Sequence, residues 1–311
     1  MRIVFFGSPP SALPCLKNIL KAGHTVELVI TQPDRPSGRG KKLTPSAVKA
    51  FARVQGIPCF QPPSIKNNAA AVEKIKRVRP DLNVVVAYGQ IIPSSIIYLP
   101  PYNSVNVHFS LLPKYRGASP VQWAILKGEK KTGVTIFELN HKMDEGDILS
   151  QQEVAIRPGE SAGELMDRLA EKGAQLLLET LANIDKIKPL QQDHSQATYA
   201  PRLRKKDGKI CWEKDALSIE RQVRALNPWP SAFTFIDGKR IKILRGEKVH
   251  AEVHKPHLPG EILSLRKEGI EVYCGKGSVF LIQNLQPENR NPMNAYSFSL
   301  GGKIKVGSVL C

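Results

Sequence analysis

Asn106 and His108 stand two positions apart in Val105-Asn106-Val107-His108, the spacing of side chains that share one face of a strand. An amide there can hold a developing oxyanion, and the imidazole beside it can move a proton. A third residue, Asp144, opens the turn Asp144-Glu145-Gly146-Asp147. A carboxylate from that separate loop can orient and charge-stabilise the imidazole, as the third member of a triad does. No cysteine lies close to either motif, and Ser110 is read as turned away from His108, so a covalent nucleophile is not the natural chemistry. The three residues suit direct acyl transfer, in which the substrate brings its own nucleophile. N-x-H and D-x-G-D are each common, so spacing alone leaves open a strand end with satisfied polar side chains and an ordinary turn aspartate.

Such residues need a scaffold, and residues 1–150 supply one by alternating strand-like and helix-like segments. Apolar runs at Ile3–Phe6, Val26–Thr31, Leu82–Ala87, Val105–Phe109 and Val134–Phe137 read as buried strands, and Leu13–Lys21 has helical periodicity. The alternation predicts an α/β fold: a Rossmann-like, mostly parallel open sheet with helices on both faces. Ligands bind such sheets beyond the carboxyl ends of strands, where Asn106 and His108 fall. There is no G-x-G-x-x-G, so a nicotinamide or flavin cofactor is not expected. Residues 161–185 are apolar at helical spacing and should close a first domain over 1–185. Periodicity then fails over 186–209, which reads as a basic linker. In 210–311 a helix-like stretch, Ser218–Leu226, precedes short alternating segments divided by Gly and Pro, predicting a second, smaller OB-like β-barrel domain. Trp229, wedged between two prolines, is assigned a core or interface role, and Cys59 and Cys274 are expected to be buried.

The 311 residues are 41% hydrophobic and 23% charged, the composition of a soluble globular protein with room for two cores. No segment approaches the ~20 apolar residues that cross a bilayer, and no membrane partner is expected. The first strand begins at once, without the apolar core of a signal peptide. Five scattered cysteines contain no C-x-x-C pair, which argues against a zinc site and for a reducing cytoplasm. A monomer is expected.

The net charge is +17, which points to a polyanionic partner. Residues 210–311 hold 9 Lys and 6 Arg against 10 acidic residues, net +5, which leaves +12 on the rest. Charge spread this way fits one long polyanion lying across loop, linker and barrel. The loop Gln32–Leu43 carries Arg35, Arg39, Lys41 and Lys42. Its glycines and prolines are read as forbidding regular structure, so it is expected to be mobile and to order on a folded RNA. The linker adds Arg204, Lys205 and Lys206.

Ser110-Leu111-Leu112-Pro113, then Arg116-Gly117-Ala118-Ser119-Pro120, then the Asp144 turn make residues 1–185 resemble the folate-dependent formyltransferases. The resemblance implies 10-formyltetrahydrofolate as co-substrate, no metal, and Asn106, His108 and Asp144 as the catalytic trio. It also implies that Ser110, Leu111, Leu112 and Pro113 contact the folate. The insertion Gln32–Leu43, the strand Val84–Gly89 with Tyr88, and Asn227-Pro228-Trp229-Pro230 look like the branch of that family that acts on tRNA. For that branch the implied partner is initiator methionyl-tRNA, with the first loop on its acceptor arm and Arg39 as the key arginine. Two departures, Phe109 and Ser8-Pro9-Pro10-Ser11, are expected near the pocket. The rival readings are a formyltransferase for a small amine and a non-catalytic RNA-binding protein on this scaffold.

Overall fold

A computed structural model of the chain describes residues 1–37, 40, 42–251, 257–302 and 304–311, with the side chain of Ser37 not described. Arg39 and Lys41 lie outside the described residues. The chain divides into two compact units. Unit 1 comprises Met1–Pro120, Lys131–Ala155 and Met166–Pro201; unit 2 comprises Val121–Lys130, Ile156–Leu165 and Arg202–Cys311.

Unit 1 is built on β1 (Arg2–Gly7), α1 (Leu13–Lys21), β2 (Thr25–Ile30), β3 (Arg35–Ser37), β4 (Lys42–Thr44), α2 (Ala47–Val54), β5 (Cys59–Phe60), α3 (Ala69–Val78), β6 (Leu82–Val86), α4 (Ser94–Ile97) and β7 (Ser104–His108). After α5 (Pro120–Leu126) come β8 (Lys131–Glu138), β9 (Ile148–Ala155) and α6 (Ala162–Ala182). Its main sheet runs β5-β2-β1-β6-β7-β8-β9. The pairs from β5 to β7 are parallel, whereas β7–β8 and β8–β9 are antiparallel. The mostly parallel α/β sheet is thus as expected. The central strand β6, Leu-Asn-Val-Val-Val, is buried along its whole length, as a strand covered on both faces must be. Ser46 caps α2 and Asn68 caps α3, each side chain accepting a backbone N–H three residues on.

The two faces of β7 divide the labour. Val107 and Phe109 turn towards α6, where Gly173 lets their side chains and that of Val134 approach the helix closely. Phe109 is buried there, so its expected place at the pocket is corrected: it packs on the opposite face from Asn106 and His108. Pro10 and Ser11 open a short 3-10 turn that leads into α1, two strand positions from β7.

Two further expectations are corrected. The basic loop is not irregular: β3 and β4 pair as an antiparallel ribbon with Arg35 opposite Thr44 and Pro36 opposite Leu43. Proline is tolerated on so short a ribbon because it has free edges, and Asp34, bound to Lys49 at 2.7 Å and Gln61 at 2.7 Å, ties down its base. The stretch read as a linker is likewise knitted into unit 1 as far as Pro201, by a bridge from Leu190 to Ile148 and another from Tyr199 to Arg116.

Unit 2 holds α7 (Ala216–Ala225), capped by Asp215, and the sheet β10 (Ala232–Ile236), β11 (Lys239–Val249), β14 (Ser278–Pro287), β13 (Gly269–Cys274), β12 (Ile262–Arg266), named here in spatial order. Strand β15 (Met293–Asn294) pairs with β14 and leads into α8 (Ala295–Ser299). All described strand pairs in this unit are antiparallel. The last residues join its two edges. Cys311 exchanges two backbone hydrogen bonds with Phe235 on β10, and Leu310 and Ser308 bond to Gly260 and Ile262 at the start of β12. The sheet therefore curls towards closure around a core that includes Trp212, Ile243, Val272 and Phe280. Trp229 is 51% exposed, so the expectation that it is a core residue fails. Cys274 is buried as expected, but Cys59, on the short edge strand β5, is exposed. No helix among the described residues is long and apolar enough to cross a membrane.

Candidate active site

Strand β7 ends at His108, and the antiparallel register sets Asn106 opposite Phe137 and His108 opposite Thr135 on β8. Asn106 and His108 share the face that carries Phe137, whose ring meets the imidazole edge-on at a centroid distance of 6.3 Å. The imidazole is held from both sides. Its Nε2 lies 3.0 Å from the carbonyl oxygen of Tyr115, and its Nδ1 lies 3.7 Å from Asp144 Oδ2. A carbonyl oxygen only accepts, so Nε2 carries the hydrogen and donates it. Nδ1 is then the nitrogen free to gain or lose a proton. The separation of 3.7 Å from Asp144 is an ion-pair distance, longer than a hydrogen bond.

This changes the triad expectation in one respect. In a triad the carboxylate binds one ring nitrogen and leaves the other for the substrate. Here a backbone carbonyl takes the orienting nitrogen, and carboxylate and reactive nitrogen face each other. Asp144 is itself anchored: its Oδ2 accepts the Gly117 N–H at 2.7 Å. A Cβ at Gly117, where φ is +117°, would meet the Ala200 carbonyl at 2.8 Å, so the turn that offers this N–H requires glycine. Ala87, Tyr115 and Asp144, with φ of 47°, 60° and 53°, are non-glycine residues in the left-handed region, each in a loop that follows β6, β7 or β8. Such conformations persist only where surrounding contacts over-determine them.

The expected folate loop is turned largely inward. Strict alternation would return Ser110 to the side of His108, but the strand has ended, and its buried hydroxyl donates to the Lys114 carbonyl at 2.7 Å. The Leu112 side chain packs with Phe137 and Ile148, while its N–H donates to Thr135 Oγ1 and its carbonyl accepts from Gln151. Leu111 lies over Gly133 of β8, where a Cβ would collide with it, and Leu111 and Pro113 keep partial exposure. The loop is thus a built wall whose polar groups are largely engaged.

Behind the Asp144 turn is a group that sequence reasoning missed. Arg116, 1% exposed, donates from Nε and Nη2 to Gln192 Oε1, and its Nη2 also lies 2.9 Å from His194 Nδ1. Arg116 Nη1 stands 3.5 Å from Glu145. Gln192 donates in turn to the carbonyls of Asp144 and Gly146. Arg116 was visible only as part of a motif, and Gln192 sits in the stretch without periodicity, where nothing local singles it out.

The basic residues fall in two places. On unit 1, Arg35 is exposed with Nη2 bonded to Gln32 Oε1, and Lys42 is exposed on β4. On unit 2, Arg204, Lys205 and Lys206 are exposed on and beside a 3-10 turn, Lys205–Gly208, pinned by the Asp207 carboxylate accepting the Arg204 N–H.

Residues 1–181 match the family model described as Formyl transferase, and residues 202–302 match the one described as Formyl transferase, C-terminal domain. A methionyl-tRNA formyltransferase of Alkaliphilus oremlandii is 41% identical over 312 residues, covering 100% of this chain and 99% of that one. Its namesake in Geobacter sulfurreducens is 43% identical, covering 100% and 96%. In fold, the chain is similar to HypX from Aquifex aeolicus, solved in complex with tetrahydrofolic acid, with a TM-score of 0.67 and 21% identity over 98% of this chain and 48% of that one. It is also similar to WlaRD, a sugar 3N-formyl transferase, with a TM-score of 0.66 and 20% identity over 94% and 99%. Both halves of the sequence, and its likeness along the whole length to these relatives, agree: the chain belongs to the formyl transferase family, on the branch of the methionyl-tRNA formyltransferases.

Proposed function

We propose that this protein transfers the formyl group of 10-formyltetrahydrofolate to the α-amino group of initiator methionyl-tRNA, as a cytoplasmic monomer. The observation that carries the reading is likeness at 41–43% identity through both domains to proteins of that activity. A small-amine acceptor would leave the basic ribbon and the +5 barrel without a task.

The residues at the β7 end fit a flat, partly apolar co-substrate. Ile91, in the loop after β6, is 85% exposed, and Met143, beside Asp144, is 63% exposed. Apolar side chains left in water beside polar groups are what a bound ring would cover. The folate supplies an activated formyl group on nitrogen. The neutral α-amino nitrogen forms the new C–N bond, and the bond from the formyl carbon to the folate nitrogen breaks. Asn106 donates its amide hydrogen to the carbonyl oxygen as negative charge develops there, a contribution typically of about 3 kcal/mol. One proton leaves the attacking amine and one reaches the departing folate nitrogen. His108 Nδ1 and the Asp144 carboxylate are the adjoining groups that hold that proton between the two events. The Tyr115 carbonyl and the Asp144 carboxylate flank the imidazole and hold it in place between them. Ser110, Leu111, Leu112 and Pro113 serve the folate as a shaped wall, and Arg35, Arg39, Lys41, Lys42, Arg204, Lys205 and Lys206 meet tRNA phosphates.

The deciding experiment offers labelled 10-formyltetrahydrofolate with charged initiator tRNA, charged elongator tRNA and free small amines side by side. Label is expected on initiator methionyl-tRNA. Equal or faster transfer to a small amine would replace this reading with the small-amine one, and no transfer to any acceptor would leave an RNA-binding protein.

A further inference from the structure

The Asp144 carboxylate is useful only if a strained turn holds it against His108, and the turn has little apolar packing of its own: Met143 is in solvent, and Gly146 has no side chain. Beside the Glu138 N–H that binds the Asp147 carbonyl, its backbone is held at Asp144 and Gly146 by one buried amide. Gln192 Nε2 donates to the Asp144 carbonyl at 3.0 Å and to the Gly146 carbonyl at 2.7 Å. Its Oε1 accepts from Arg116 Nε at 3.1 Å and from Nη2 at 2.7 Å. Both donors and both acceptor sites of the amide are therefore used, which fixes its orientation. Arg116 is fixed as well, since its N–H donates to the Thr198 carbonyl and its own carbonyl accepts from Ala200. On the far side of the turn a Cβ on Gly146 would collide with the Glu138 carbonyl. The Asp144 turn is thus pressed between β8 and a bracket made of residues 116, 192 and 198–200. A fully buried guanidinium whose carboxylate partner, Glu145, stands 3.5 Å away is an expensive way to stabilise a fold. It is a good way to fix a position.

We infer that Gln192, oriented by Arg116, is the positioning residue for Asp144: it sets the height of the carboxylate at His108 Nδ1, and formyl transfer depends on it although it touches no reacting atom. This rests on the role given to Asp144 above. The sharpest test is Gln192→Glu, which keeps size and shape and can still accept from Arg116, but has no N–H for the two carbonyls. The displaced turn should lower kcat at least ~10-fold, because misplacement of a reacting group by ~1 Å costs that much or more. KM for tRNA and for folate should stay within about twofold.

Two further measurements separate positioning from general damage. Placed in an Asp144→Asn background, Gln192→Glu should cause little additional loss, since both changes act through one carboxylate. An equal fold-loss in both backgrounds overturns the inference. Amide hydrogen exchange, read without any activity, should quicken at residues 143–147 and stay unchanged in β1, β6 and β7. Unchanged protection at 143–147 overturns it too. Should the wild-type protein transfer no formyl group, the proposed function falls while the exchange result still judges the bracket.

Discussion

At the scale of the residue, the site turns on which atom of His108 is free. With Nε2 donating to the Tyr115 carbonyl, proton exchange is confined to Nδ1, beside Asp144. Asp144→Asn is then more informative than Asp144→Ala. Asparagine tolerates the left-handed backbone that Asp144 adopts at φ 53°, and its carbonyl oxygen can keep the Gly117 N–H, so only the charge is lost. Asp144→Asn, Asn106→Ala and His108→Ala are each expected to lower the single-turnover rate at least ~100-fold with the fold intact. Near-normal rates in any two of the three would sink the assignment. Asn106 and His108 are legible in the sequence because a strand repeats every two residues, so spacing alone puts them on one face. Arg116 and Gln192 are not, because their partnership spans 76 positions and leaves no local pattern.

At the scale of the element, β1, β2, β6, β7 and β8 can be read from the sequence as runs of buried, largely β-branched residues. Strand β9, Ile-Leu-Ser-Gln-Gln-Glu-Val-Ala, is half polar and only partly buried because it is an edge, and β5 is two residues long, so neither has a pattern to detect. The β3–β4 ribbon escapes for another reason: its proline and glycine content is the signature of a loop, and its pairing is held by Asp34, Lys49 and Gln61 from outside. Arg39, outside the described residues, lies between the two strands in a Gly-Arg-Gly tripeptide. An arginine can make paired bonds or stack on a base, where lysine offers a point charge. Arg39→Lys should therefore cut formylation of initiator tRNA while Lys41→Arg is tolerated. Equal behaviour of the two variants, on initiator tRNA and on one with a fully paired acceptor end, would reduce the loop to an electrostatic tether. The end of β8 carries a different prediction. Burial first, and the neighbouring Asp147 second, raise the pKa of Glu138. The folded state thus binds that proton more tightly than the unfolded chain does. The associated stability is fully present below the ordinary carboxylate pKa and is lost as pH rises through the raised one. Glu138→Gln should accordingly raise Tm at neutral pH, and the gain should vanish in acid. A gain of the same size in acid and at neutral pH would assign the effect to packing instead.

At the scale of the whole molecule, the excess of 17 positive charges is shared between the domains, and a polyanion that engages both should bind with a steep salt dependence. tRNA affinity is expected to fall sharply between low and moderate ionic strength while folate affinity hardly changes. Similar slopes for the two ligands, measured by equilibrium titration, would contradict a multi-phosphate contact. The way the barrel shuts has a consequence for how the protein comes into being. Among the described residues, it is 308–311 whose backbone bonds join β10 to the start of β12, so the two edges stay unlatched until these residues arrive. Domains tend to fold as units while the chain is still being made. Unit 1 has all its strands by Ala155 and its last segment by Pro201, and so can settle early. Unit 2 cannot: on a translating ribosome its two edges stay unjoined until residues 308–311 have been made. A stalled or truncated product would therefore expose strand edges of the kind that invite aggregation, and quality control would meet this enzyme through its C-terminal half.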